Sequence, residues 1–149
     1  CFFFFFYKYT DEGILYVENL TRVLLATNLP DYKIGRKTKQ RVLYTDKILL
    51  HECLSRSEEE LLFKLKNWGH NNQINPTFFE KWKAVNKDNF RDYKDFYYIE
   101  AEKWKSLGYI PTKDISKLRE IVQSNKSLKI SKYFLFFKNF GQWFKFLFK

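Results

Sequence analysis

Five cations, Lys33, Arg36, Lys37, Lys39 and Arg41, crowd nine residues that show no periodic apolar face, and residues 125 to 149 carry six lysines and no acid. Clustered charge of this kind suits the neutralisation of successive phosphates on a polyanion, which an evenly basic surface does less well. In the second cluster Lys126, Lys129 and Lys132 lead into an aromatic run. Further on, Lys138, Gln142, Lys145 and Lys149 fall on one stripe of a helix turning about 100° per residue. The predicted phosphate contacts are therefore Lys33, Arg36, Lys37, Lys39 and Arg41 in a loop, and Lys126, Lys129, Lys132, Lys138, Lys145 and Lys149 in the tail. Tyr32, Tyr44 and Tyr133 stand beside these cations as candidates to stack on unpaired bases. With no recognition-helix or zinc-finger pattern present, RNA is the expected polyanion.

Other reactive residue types are sparse. Cys1, Cys53, His51 and His70 lack the paired short spacings of a zinc site, so no metal is expected. His51-Glu52-Cys53 reads as one turn of an amphipathic helix with Cys53 packed inward as a small hydrophobe. Glu58-Glu59-Glu60 occupies a first helical turn, where the helix dipole favours acids. A glycine-rich phosphate loop and a Gly-x-Ser-x-Gly elbow are both missing. The chain reads as a binding protein and not an enzyme, with no catalytic residue and no cofactor.

Length and charge distribution frame this reading. At 149 residues the chain is the size of one domain with a real core. Its longest uncharged stretch falls far short of the roughly 18 to 20 apolar residues of a membrane-spanning helix. Aromatic residues at 21% exclude a disordered chain, because so much ring surface has to be buried. The net charge of +10 is uneven: residues 1 to 32 carry −2, residues 33 to 47 carry +5, residues 48 to 124 carry +1 and residues 125 to 149 carry +6. The middle of the chain is close to neutral, and the excess is confined to one loop and one tail.

The elements that must position these clusters follow from periodicity and punctuation. Aromatic residues 2 to 9 and Ile14 to Val17 flank Thr10-Asp11-Glu12-Gly13, which predicts a hairpin over about 2–17. Helices are predicted over about 19–28, 46–54, 58–68, 78–86, 88–107 and 113–123. Ser57 with Glu60 and Thr77 with Glu80 form capping boxes, and Gly69 and Gly108 act as stops. The expected fold is mainly α with a small N-terminal β-hairpin (α+β), a single compact domain over 1–124 followed by a basic aromatic extension over 125–149. That extension is predicted to be a helix, apolar over most of its circumference, whose rings pack on its own domain or on a neighbour while the lysines reach phosphate.

Composition supplies a resemblance. Lys, Phe, Tyr, Asn and Ile total 67 residues, whereas Gly, Ala, Arg and Pro total 17. The first group is encoded by AT-rich codons, and the Lys to Arg ratio is 21 to 6. A lysine-rich chain with phenylalanine runs resembles the open reading frames of protist mitochondrial genomes, those of ciliates in particular. No import signal is recognisable, which fits synthesis inside the organelle. The resemblance implies a structural constituent of the mitochondrial ribosome that binds rRNA and neighbouring ribosomal proteins in the matrix. The alternative is a peripheral accessory subunit of a respiratory-chain complex or ATP synthase. Its C-terminal helix would anchor it on anionic lipid at the matrix face of the inner membrane.

Overall fold

The structure, a computed structural model, describes residues 2–18, 21, 22, 24, 26, 41–69, 71–99, 104–124 and 129–147. A five-stranded sheet lies at its centre: β1 (Phe2–Tyr9), β2 (Ile14–Val17), β3 (Thr21–Arg22), β4 (Ile48–His51) and β5 (Leu107–Ile110). The described residues also form four α-helices: α1 (Glu58–Asn67), α2 (Phe78–Ala84) and α3 (Ile115–Ser124), which contribute to the core against the sheet, and α4 (Lys132–Leu147). β1 is the organising strand. It pairs antiparallel with β2 and β3 and parallel with β4, while β2 pairs antiparallel with β5.

This corrects the expectation of a mainly helical fold with only a hairpin of sheet. The predicted hairpin is present, with Phe6 opposite Tyr16 and Tyr9 opposite Ile14. α1 and α2 lie within their predicted segments, α3 starts two residues later and ends one residue later than predicted, and Ser57 forms the capping box with Glu60. Thr77, however, makes no side-chain cap.

Three predicted helices fail. In place of the helix over 46–54, Ile48 to His51 pairs with Phe2 to Phe5, and Cys53 sits in the turn that follows. Of the helix over 19–28, residues 21 and 22 form β3, and most of the remainder lies outside the described residues. Of the helix over 88–107, the described residues form a short 3-10 turn at Phe90–Asp92, irregular chain and the start of β5, while residues 100–103 lie outside the described residues. Asp95, with φ at 55°, adopts a left-handed conformation that no α-helix continues through. Gly108 is no helix stop: a Cβ there would fall on the Tyr16 ring, so the strand pairing requires glycine at this point.

The run of phenylalanines follows from burial on both faces of β1. Phe5 and Tyr7 join Leu15, Val17, Leu61, Phe78, Trp82, Phe96 and Trp104 in one cluster beneath α1, α2 and the irregular chain. Phe4 and Phe6 join Ile14, Tyr16, Ile110, Leu118 and Val122 in a second cluster beneath α3. A strand sandwiched this way has no solvent face, so it shows no polar alternation. Two hydrogen bonds tie the first cluster together: Trp82 Nε1 donates to the Tyr7 carbonyl at 2.9 Å, and Tyr7 Oη donates to the Phe96 carbonyl at 3.2 Å.

Candidate nucleic-acid interface

α4 begins after Ser131, whose hydroxyl accepts from the Phe134 amide at 3.5 Å. Lys145 lies in its last turn, where the helix dipole favours a cation. The polar stripe of the helix meets the rest of the protein. Gln142 Oε1 accepts from the Val42 amide at 3.3 Å, and Asn139 Oδ1 accepts from the Tyr44 amide at 2.7 Å. Asn139 Nδ2 in turn donates to the Tyr44 carbonyl at 2.9 Å. Residues 41 to 47 run without helical or strand assignment into β4, and the Phe2 amide donates to the Lys47 carbonyl at 3.0 Å. The helix therefore holds the chain that leads from the basic loop into the sheet.

The consequence is that α4 holds the chain immediately after Arg41, about a hundred residues away in sequence. Arg41, the last cation of the first cluster, precedes Val42, which is bonded to Gln142. Lys138 and Lys145 fall on the helix stripe beside Gln142, and Arg41, Lys129, Lys132, Lys138 and Lys145 are all exposed. Among the described residues the ion pairs join Lys83 to Glu58 at 2.9 Å and Lys87 to Glu12 at 2.7 Å, and none takes up these five cations. Lys138 Nζ rests 5.5 Å from the Phe134 ring centroid, a cation–π contact that leaves the charge outward. Lys33, Arg36, Lys37, Lys39, Lys126, Lys149 and Tyr32 lie outside the described residues. Of the other two candidate base-stacking rings, Tyr133 is exposed and Tyr44 is half-buried.

The described rings of α4 are not packed on their own domain, contrary to one of the two placements expected for them. Tyr133, Phe134, Phe136, Phe137, Phe140, Trp143, Phe144 and Leu147 are all exposed, from 39% at Phe134 to 79% at Tyr133. Among the described side chains of α4, Leu135, Asn139 and Gln142 are half-covered. The carboxamides were the missed signal. Two amide side chains three apart in an otherwise apolar run share a helix face, and that face is the one that needs hydrogen-bond partners.

Burial pushes the Cys53 thiol above its ordinary range, outweighing the nearby Lys64 and Arg56 charges, so the sulfur stays protonated at neutral pH. Lys64 Nζ donates to the Cys53 carbonyl at 2.7 Å. Burial also lowers Lys8, whose ammonium donates to the Lys83 and Val85 carbonyls at 2.7 and 3.0 Å over the Trp82 ring. Among the described residues no group of three or more His, Cys, Asp or Glu side chains could hold a metal ion. No family model matches the chain, and no curated protein or solved structure matches it either.

Proposed function

We propose that the protein is a non-catalytic, RNA-binding structural subunit of a ribonucleoprotein assembly, the mitochondrial ribosome. One observation carries the reading: the Val42–Gln142 and Tyr44–Asn139 hydrogen bonds bring the end of the basic loop beside the lysine stripe of α4. Arg41, the last cation of the first cluster, is thus held in the stretch of chain against which the stripe of Lys138 and Lys145 runs, and all three are exposed and unneutralised by acids of the described residues. A phosphate backbone running across that stretch would meet Arg41, Lys138 and Lys145 together, and each neutralised phosphate releases counterions. The protein's part is to position RNA and neighbouring ribosomal proteins in the mitochondrial matrix, which needs no cofactor.

The test is fractionation with a binding assay. The protein is expected to co-sediment with purified ribosomal subunits and to bind rRNA fragments with an affinity that falls steeply with salt. Recovery with detergent-solubilised respiratory complexes and absence from ribosomal subunits would overturn the reading.

A further inference from the structure

The aromatic side of α4 lies on a different face from the cations just described, and it is open to solvent. At about 100° per residue, Phe136, Phe137, Phe140, Trp143, Phe144 and Leu147 fall within an arc of roughly 120°. The stripe of Leu135, Asn139 and Gln142 lies on another side, against the chain's own segment 41–47. These six side chains are between 42% and 67% exposed. With large apolar side chains burying about 150–250 Å² each, the uncovered area comes to roughly 500–800 Å², at or above the upper part of the 300–600 Å² typical of the largest patch on a monomer. A surface of that size is covered in use.

We propose that this arc docks on an anionic lipid bilayer, with α4 lying in the plane of the interface. Charge is the first argument: residues 125 to 149 hold six lysines and no acid, so the helix and its lead-in are complementary to a negative surface along their whole length. The shape of the arc is the second. Its rings lean on one another along the helix, Phe136 on Phe140 with 6.1 Å between centroids and Phe140 on Trp143 at the same spacing. They present a convex ridge in which, among the described residues, the Tyr133 hydroxyl and the Trp143 indole are the polar groups, too few to set register against a folded partner. A fluid apolar phase accepts such a ridge where a protein groove would have to match it. The indole N–H of Trp143 is the polar group suited to the boundary between acyl chains and headgroups. No helix among the described residues is long and apolar enough to cross a membrane, so the helix lies on the bilayer and does not span it. Because its carboxamide stripe is tied to residues 42 and 44, the sheet domain would sit above the helix.

The experiment is flotation of the full chain with vesicles of equimolar phosphatidylcholine and phosphatidylglycerol, set against vesicles of phosphatidylcholine alone. The unmodified protein is expected to float with the anionic vesicles and to bind the neutral ones about tenfold more weakly. The variant F137S/F140S/F144S is expected to lose about tenfold or more of the anionic binding while keeping its helical circular dichroism, since these rings face solvent. Quenching of Trp143 by brominated acyl chains, scored against W143F, asks the same question in the unmodified background should the triple variant lose helicity. Three results overturn the proposal: no flotation with a monomeric protein, no flotation with a dimer that F137S/F140S/F144S dissociates, or flotation that the triple variant leaves unchanged. RNA binding measured in parallel separates the two readings, because its loss with flotation intact would overturn the RNA assignment alone.

Discussion

Asn139 pairs with Tyr44 as one strand residue pairs with another, its carboxamide accepting from the amide at 2.7 Å and donating to the carbonyl at 2.9 Å. A single side chain thereby satisfies both backbone groups of a residue that has no strand neighbour there. Replacement by Ala leaves both unpaired at a half-buried position, and a loss of about 1–3 kcal/mol is expected in urea unfolding. The carboxylate of the variant N139D can still accept but cannot donate when ionised, so its loss should be intermediate. Amide exchange at Tyr44 checks the local origin, since it should accelerate more than exchange at Tyr7.

The lysine stripe should act on RNA and not on the fold. K138Q/K145Q is expected to lower the salt dependence of RNA binding by up to about two phosphate contacts' worth of slope, with the thermal midpoint unchanged. Salt-titrated filter binding beside a circular dichroism melt reads both quantities. A drop in midpoint with an unaltered slope would assign the stripe to structure instead.

Trp82 should be among the least replaceable residues of the sheet's α1/α2 side. It is 2% exposed and its indole holds the Tyr7 carbonyl at 2.9 Å. Phe in its place keeps much of the volume but strands that carbonyl and trims the ring, for an expected loss of about 2–4 kcal/mol. Urea denaturation of W82F, followed by far-ultraviolet circular dichroism, measures it.

Two glycines should respond oppositely to the same substitution. At Gly108 a methyl group would overlap the Tyr16 ring, so G108A should cost about 1–3 kcal/mol. At Gly141, inside α4, nothing lies within 4 Å of the added carbon, so G141A should stabilise by about 0.5–1 kcal/mol through helix propensity. Paired thermal melts decide both signs.

Alkaline pH should unfold the protein through Tyr7. Burial holds its phenol well above the ordinary value of 10.0, and the nearby Tyr93 adds to the shift. The folded state therefore keeps a proton that the unfolded chain gives up, so this contribution to stability is complete below about pH 10 and is lost as pH rises further. Cys53, also raised by burial, acts in the same direction from about its ordinary value of 9.0. Lys8, lowered by burial, opposes them. Urea midpoints between pH 8 and 11 should fall steeply for the unmodified protein and more gently for Y7F, which also forfeits the bond to Phe96 at every pH.

What the sequence disclosed depended on whether the deciding partner was local. The hairpin turn at Thr10 to Gly13 and the Ser57–Glu60 box are written within a few residues, and both form as read. Ile48-Leu49-Leu50-His51 carries no local sign of its partner. Its strand state comes from Phe2 to Phe5, some 46 residues earlier, and a short apolar run reads equally well as buried helix. The 88–107 segment misled for a related reason. Its rings recur at near-helical intervals, but Tyr97, Tyr98 and Trp104 meet one another in an irregular cluster that no helix would form. At the candidate interface the cationic residues were legible from charge alone. The clasp that brings Arg41 toward Lys138 and Lys145 was legible only in half: Asn139 and Gln142 mark a helix face that needs partners, but nothing local names Val42 and Tyr44, about a hundred residues away, as those partners.

The double burial of β1 also sets a timetable for synthesis. Its five consecutive phenylalanines can form the β2 hairpin early, but β4 lies over forty residues further along and β5 about a hundred. Until those strands and α3 emerge, the most adhesive segment of the chain is left with bare faces and an open edge, the state in which nascent polypeptides associate with one another. The arrangement that gives the finished sheet its core thus exposes the growing chain to self-association, and refolding yield in vitro is expected to fall as protein concentration rises.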